Sequence, residues 1–378
     1  MPPRGRAGKT AKDGLHACPV AAKAAPMRAL HLLLLALLLA PAPLAAPWAA
    51  DGAPLLALPE TAGLRPQDRA NVARFLKMNT PRVLALGTEG AFGWRAGGSM
   101  EEAERVALEN CRRRGQGRPC TVAVRDLEVL APGLAPTAPW APPPAPLGTR
   151  IGGAHHDTLP DGRFIWWGEQ AEGVLVWAHG RGADGADSRG IQPQSWTRHF
   201  NNAGFDVWRF DRHPAQDGLT RAAGWLREDL VALRARGYRR VIVAGQSRGA
   251  WNALQALAKP GLADVVIAMA PAAHGQEDSP IFRRQAEDLR RVLLAAAQGG
   301  GPAARVAVAN FRDDPFDADP EARAGALRDF APRAGAFLLL DRPEGLSGHL
   351  AGASVRFNDR FGACLLRFAT AEAPPAAC

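Results

Sequence analysis

The sequence predicts an α/β fold in which a mostly parallel sheet is flanked by helices. Short apolar runs recur after residue 160, and helical patterns separate several of them, most clearly at 220–236 and 250–258. The runs lie at 164–167, 174–178, 205–210, 241–244, 265–269, 306–309 and 336–340. Short buried strands that alternate with helices form a parallel sheet covered on both faces. Ligands bind beyond the carboxyl ends of such strands, so we expect the functional residues there.

A proline-rich stretch divides the chain. Residues 131–146 contain seven prolines, which exclude a helix and predict an extended linker over 131–150. Before it, residues 51–130 predict a small α+β module with strands at 82–87 and 121–124. Ser99, with Glu102 three residues later, forms a capping box for a helix that reaches about residue 114. Residues 151–378 then form the large domain.

The first 50 residues predict a leader that is removed on export. Met27 and Arg28 precede an apolar run over 30–40, and Ala- and Pro-rich residues follow to Ala50, which is the order of a secretory signal. The length before Met27 favours that residue as the true start. The run is shorter than the roughly 18 to 20 apolar residues that span a bilayer. We therefore expect a periplasmic or secreted protein without a permanent membrane anchor.

The cysteines are consistent with export. Cys18 is removed together with the leader. Four cysteines remain, an even number suited to disulfide pairing in an oxidising compartment. The simplest pairing is local, Cys111 with Cys120 and Cys364 with Cys378, although sequence alone does not fix connectivity. Metal binding is the competing interpretation, and the spacings match no zinc pattern. We therefore expect two disulfides and no metal.

The charge balance gives no basis for expecting a nucleic-acid partner. The formal net charge of +9 includes six Lys or Arg against one Asp in residues 1–50, so the rest of the chain carries about +4. Acids and bases are interspersed there. No basic stripe predicts nucleic-acid binding.

The small module resembles helix-and-strand modules of exported bacterial proteins. These carry an A-L-x-x-C helix followed by P-C and a strand, and here the helix motif spans residues 107–111 and the second motif is Pro119 and Cys120. The resemblance covers about forty residues and implies a binding or spacer role.

A glycine-flanked serine is the strongest chemical signal. Gly245, Gln246, Ser247, Arg248 and Gly249 form a G-x-S-x-G motif directly after one apolar run and before a helical pattern. In a strand-turn-helix context this motif holds the serine hydroxyl above the sheet, at a helix N-terminus. The alternative is a structural serine in an ordinary turn.

With this motif in place, residues 160–370 resemble the α/β-hydrolase superfamily, and within it the serine esterases. The resemblance implies the order Ser, acid, His. His349, in a glycine-containing loop after the run at 336–340, is the expected base, because His274 comes too early and is expected to be a cap or surface residue. Asp314, in the D-D-P turn after the run at 306–309, is the expected acid, with Asp313 and then Asp317 as alternatives.

The same resemblance implies two backbone donors for an oxyanion. One is the amide of Arg248, the residue after the nucleophile. The other is the amide of Arg181, or alternatively Gly182, in a glycine-rich loop that begins at His179. No G-x-x-x-x-G-K pattern accompanies this loop, so nucleotide binding is not expected.

These residues predict an exported serine hydrolase that cleaves a carboxylic ester of a small molecule through an acyl-enzyme, without a cofactor. A serine peptidase on the same fold, or a binding protein without catalysis, is the alternative. Arg248 and Arg181 favour an anionic substrate. Residues 271–303 could form a cap over the site, but a solvated helix face suits their arginines better. Neither the physiological substrate nor the oligomeric state is determined by the sequence.

Overall fold

The computed structural model describes residues 64–130, 149–298 and 304–378. All of them belong to one unit, Ala45–Cys378. The predicted leader and all but the last two residues of the predicted linker lie outside the described residues. Within the described ranges, no helix combines the length and apolar character needed to cross a membrane.

Four antiparallel strands form the first sheet, in the order β2-β1-β3-β4. Their bounds are β1 Arg82–Gly87, β2 Phe92–Ala96, β3 Cys120–Arg125 and β4 Glu128–Val129. Helix α1 spans Pro66–Phe75 and helix α2 spans Met100–Arg114, and the two helices contribute to two different hydrophobic clusters of this sheet. The predicted helix and the two predicted strands are confirmed.

Local chemistry explains where α2 begins and how it is joined to the sheet. The Ser99 hydroxyl accepts a hydrogen bond from the Glu102 amide at 3.1 Å, as the capping pattern predicts. The predicted disulfide between Cys111 and Cys120 is confirmed and connects α2 to β3. Strand β2 was not predicted, because Gly93 lies where a side chain would overlap the α2 backbone, and this glycine interrupts the strand pattern.

Eight strands form the second sheet, in the order β5-β6-β8-β7-β9-β10-β11-β12. The six strands from β8 to β12 in this order are parallel, whereas β6 is antiparallel to β8 and β5 is antiparallel to β6. The bounds are β5 Ile151–Gly152, β6 His156–Pro160, β7 Gly173–Ala178, β8 Phe205–Arg212, β9 Val241–Gln246, β10 Val265–Met269, β11 Arg305–Asn310 and β12 Ala336–Asp341. The predicted fold class is therefore confirmed.

Helices cover both faces of this sheet. The bounds are α3 Thr197–Asn202, α4 Leu219–Ala235, α5 Arg248–Ala256, α6 Gln285–Gln298, α7 Pro320–Phe330 and α8 Val355–Thr370. Helices α4 to α7 share one apolar core with the sheet, and α3 and α8 share the other. A second predicted disulfide, between Cys364 and Cys378, is also confirmed and attaches the C-terminal residues to α8.

The predicted strand at 164–167 is not a strand. Phe164 and Ile165 are apolar because each is buried in the core of a different sheet, Phe164 with the large one and Ile165 with the small one. The backbone here is held by side chains instead: the Ile165 amide donates to Asn201 Oδ1 at 2.9 Å, and the Trp167 amide donates to Asp206 Oδ1 at 2.6 Å.

Helix α6 is not a cap. It packs beside α5 and α7 along the sheet. The interpretation of its arginines as a solvated face is confirmed, since Arg290 is exposed and lies 3.0 Å from Asp329 of α7. Among the described residues of the segment 271–298, those that line the candidate site lie in the loop before α6.

Candidate active site

A strained turn presents Ser247 at the carboxyl end of the sheet. Strand β9 ends at Gln246 and α5 begins at Arg248, so Ser247 alone makes the turn, with φ 55° and ψ −119°. A non-glycine residue in such a conformation costs about 1–3 kcal/mol, and strain of this kind is concentrated at functional sites. A side chain at Gly245 would overlap the backbone of Gly249, and one at Gly249 would overlap the carbonyl of Ala178. The two glycines of the motif are therefore required by packing.

His349 and Asp314 follow the last two strands of the sheet. His349 Nδ1 lies 2.8 Å from Asp314 Oδ1, and the Asp314 side chain is fully buried. The same oxygen accepts a hydrogen bond from the Phe316 amide at 2.9 Å. The contact with Asp314 orients the imidazole of His349. The other ring nitrogen, Nε2, is buried and has no hydrogen-bond partner among the described residues.

The structure separates the three candidate acids. Asp313 Oδ2 accepts a hydrogen bond from Ser347 at 2.7 Å, and Asp317 Oδ1 lies 3.2 Å from the guanidinium of Arg323. Burial raises the pKa of Asp317, and Arg323 opposes that shift. Of the three, Asp314 is the carboxylate that contacts His349.

Arg323 is a residue of this site that the sequence analysis missed. It lies in α7, is fully buried, and places Nη1 3.7 Å from Asp314 Oδ2. Its Nη2 donates to the Phe316 carbonyl at 3.2 Å, so one cation holds both ends of the turn. Burial lowers the pKa of Arg323, and the charges of Asp317 and Asp314 oppose that shift. An arginine in an amphipathic helix gives no signal that distinguishes it from a surface residue.

Ser247 and His349 line the same cavity of about 530 Å³. No hydrogen bond is formed between their side chains, and catalytic hydrogen bonds are often long before substrate binds. The other lining residues come from four loops, the end of β9 and the start of α5: Arg181, Gly182, Ala183, Asp184, Gln246, Arg248, Ala272, Ala273, Gly275, Gln276, Asp278, Phe316 and Leu350. The charged and titratable residues that line the cavity are therefore one histidine, two arginines and two aspartates.

The loop after β7 passes close to Ser247. A side chain at Gly180 would overlap the Gln246 amide oxygen and would lie 3.3 Å from Ser247 Cβ. His179 holds this loop: its Nε2 accepts from the Arg212 amide at 3.1 Å, so its Nδ1 carries the proton and donates to the Gly180 carbonyl at 2.6 Å. Burial is the main cause that lowers the pKa of His179 to about 3, which keeps the ring neutral.

That hydrogen bond also orients the next amide. In a trans peptide the carbonyl and the N–H point in opposite directions. Because the Gly180 carbonyl faces the His179 ring, the Arg181 N–H points away from the ring. Neither this amide nor that of Arg248 donates to another residue that the structure describes.

Other histidines serve local packing. His274 is not the predicted cap or surface residue, because it is buried and its Nε2 lies 2.7 Å from Asp288 in α6. His156 in β6 lies 3.2 Å from Asp229 and stacks on Trp225 at 4.8 Å. Across the described ranges, no group of three or more metal-ligating side chains occurs.

The strand order of the large sheet and the turn at Ser247 define the class of this protein: the chain has the α/β-hydrolase fold. No protein-family model matches the sequence, and no curated protein matches it.

Several solved structures are similar to this chain. An acylaminoacyl peptidase from Pyrococcus horikoshii has 14% identity and a TM-score of 0.44, over 60% of this chain and 42% of its own. Est1E from Butyrivibrio proteoclasticus has 13% identity and a TM-score of 0.40, over 58% of this chain and 96% of its own. An esterase from Pyrococcus furiosus has 13% identity and a TM-score of 0.36, over 53% of this chain and 83% of its own. The chain thus matches less than half the length of the peptidase.

Proposed function

We propose that this protein is an exported serine hydrolase that cleaves a carboxylic ester of a small molecule through an acyl-enzyme. One observation carries the proposal. The strained Ser247 shares a cavity with an imidazole whose Nδ1 contacts a buried carboxylate and whose Nε2 has no partner among the described residues. A nucleophile, a base and an orienting acid in this relation form a serine hydrolase triad.

The mechanism assigns one role to each residue. His349 Nε2 accepts the Ser247 proton while Oγ attacks the ester carbonyl, and Asp314 fixes the tautomer and stabilises the imidazolium. The carbon–oxygen bond to the alcohol then breaks, and His349 returns the proton to the leaving oxygen. A water molecule, deprotonated by the same base, attacks the acyl carbon; the bond from Oγ to that carbon then breaks, the carboxylic acid leaves, and His349 returns the proton to Ser247 Oγ. The reaction needs no cofactor.

The amides of Arg248 and Arg181 stabilise the oxyanion of the tetrahedral intermediate. The Arg248 amide lies in the first turn of α5, where helix N–H groups lack partners within the helix. The Arg181 amide is oriented by the His179 contact with the Gly180 carbonyl. Loss of one such donor reduces turnover by about 10²–10³-fold in comparable enzymes.

The proposal assigns the chemistry to residues 151–378 and a binding or spacer role to residues 51–130. Both disulfides suit an oxidising compartment, which supports export to the periplasm or the medium. Within the small module, the buried Arg82 holds the C-terminal end of α1 in place. Its guanidinium donates to the carbonyls of Phe75, Leu76 and Met78 at 2.7–3.1 Å.

Rapid-mixing kinetics tests the acyl-enzyme. With p-nitrophenyl acetate in excess, we expect an initial burst of about one p-nitrophenolate per enzyme, followed by a slower steady rate. The corresponding peptide p-nitroanilides should be cleaved more slowly than the ester. Faster cleavage of the anilides would support the peptidase instead, and no turnover of either compound would support a binding protein.

A further inference from the structure

Two arginines line the cavity beside Ser247, and neither side chain forms an ion pair with a carboxylate that the structure describes. Resting on the proposed function, we propose that they form a subsite for an anionic group, so that the preferred substrate is an ester that carries a carboxylate. The subsite consists of the guanidinium groups of Arg248 and Arg181. Their backbone amides have the separate role described above.

Arg248 is half-buried, and its hydrogen bonds leave its charge unneutralised. Nη2 donates to the Ala273 carbonyl at 3.0 Å and Nη1 donates to the Asp217 carbonyl at 3.3 Å. Both acceptors are backbone oxygens, and no carboxylate within the described ranges forms an ion pair with this guanidinium. The two carbonyls fix the position of the cation, but a buried charge normally requires a paired counter-ion.

The neighbouring acid belongs to another arginine. The Asp217 carboxylate lies 2.9 Å from Arg212 Nε, and both side chains are buried. Burial is the largest cause that lowers the pKa of Arg248; the charge of Asp217 opposes that shift, and repulsion by Arg181 and Arg212 adds to it. A bound anion would oppose the effects of burial and of the neighbouring arginines, so Arg248 gains more from an anionic ligand than a solvated arginine would.

Arg181 supplies the second cation. It lines the cavity from the exposed loop after β7 and forms no ion pair with any residue that the structure describes. Its effect on the pKa of Arg248 indicates that the two charges interact. Two guanidinium groups on the same cavity suit the planar, two-oxygen geometry of a carboxylate.

Two acids also line the cavity, and they do not neutralise the arginines. Asp184 and Asp278 are exposed, so water and salt screen their charges. Arg248 is in a less solvated position, where the same charge has a stronger effect. The inner part of the cavity is therefore cationic.

Matched esters test the subsite on both sides of the scissile bond. For the acyl side, mono-p-nitrophenyl glutarate is compared with its methyl ester. For the alcohol side, 4-acetoxybenzoate is compared with its methyl ester. The uncatalysed rate of each compound is subtracted. In at least one pair we expect the anionic ester to have a kcat/KM about tenfold or more above that of the neutral ester, as for a charge-assisted hydrogen bond. The pair with the larger ratio identifies the side that carries the carboxylate.

Variants assign the ratio to the two arginines. Arg181→Gln and Arg248→Gln should each lower the anionic-to-neutral ratio by about tenfold, and Arg248→Lys should retain part of it. Arg367→Gln removes an exposed charge from α8 and should leave the ratio unchanged. Because Arg181 is exposed, its variant remains informative if Arg248→Gln fails to fold.

The outcomes separate this inference from the proposed function. Turnover of the esters with no preference for the anionic member of either pair would overturn the subsite alone, and so would a preference that neither glutamine variant reduces. Absence of turnover of all four esters by the wild-type protein would contradict the proposed function and this inference with it.

Discussion

Replacing Ser247 with alanine is expected to reduce the hydrolysis of p-nitrophenyl acetate by a factor on the order of 10⁴ or more. The variant loses the oxygen that we propose as the nucleophile, while the backbone amides and the cavity remain. Steady-state kinetics measures the loss, and circular dichroism and thermal unfolding check that the fold is retained. Removal of a hydroxyl from a strained turn should leave the unfolding temperature close to that of the wild type.

Ser99→Ala is the matched control for this substitution. The Ser99 hydroxyl caps α2 and lies outside the cavity. The Ser99→Ala variant should therefore lose about 1 kcal/mol of stability and keep its turnover. We thus expect Ser247→Ala to lose activity and keep its stability, and Ser99→Ala to lose stability and keep its activity. A Ser247→Ala protein that keeps wild-type turnover would contradict the assignment of the nucleophile.

Replacing Asp314 with asparagine is expected to lower kcat by about 10³–10⁴-fold. The carboxamide cannot stabilise the imidazolium, and it can donate to Nδ1 and so favour the wrong tautomer. The loss should appear in kcat, because the side chain contacts His349 and does not line the cavity. Steady-state kinetics over a range of ester concentrations separates kcat from KM.

Asp313→Asn is a control one residue away. Asp313 contacts Ser347 and has φ 53°, a conformation that asparagine adopts readily, so the substitution preserves the turn. We expect its kcat to stay within a few-fold of that of the wild type, since exposed polar substitutions have small effects. A larger loss in Asp313→Asn than in Asp314→Asn would mean that the acid is assigned to the wrong residue.

Much of the fold could be predicted from the sequence because the central strands are buried on both faces. Apolar runs of β-branched and aliphatic residues, such as 241–244 and 265–269, have few alternatives to a core strand. The turn at Ser247 could be predicted because its glycines are required by contacts across the turn. The order of serine, acid and histidine then limited the base to His349, which the structure brings to the same cavity as Ser247.

What could not be predicted depends on tertiary contacts. Strand β6, next to the edge strand β5, is polar because Thr158 and His156 bond to Asp229 of α4, so it lacks a strand pattern. Residues 164–167 have a strand pattern but pack into two cores without ladder hydrogen bonds. Arg323 was missed for a related reason, since only the folded chain brings α7 against the turn at Asp314.

Labelling with a fluorophosphonate probe tests the central claim most directly, because such probes react with a serine only when a base activates it. After incubation of the oxidised, full-length protein with the probe and proteolysis, mass spectrometry should find one adduct, on the peptide that contains Ser247. Labelling should be lost in His349→Ala. A protein that stays unlabelled, or that carries the adduct on another serine, would contradict the account.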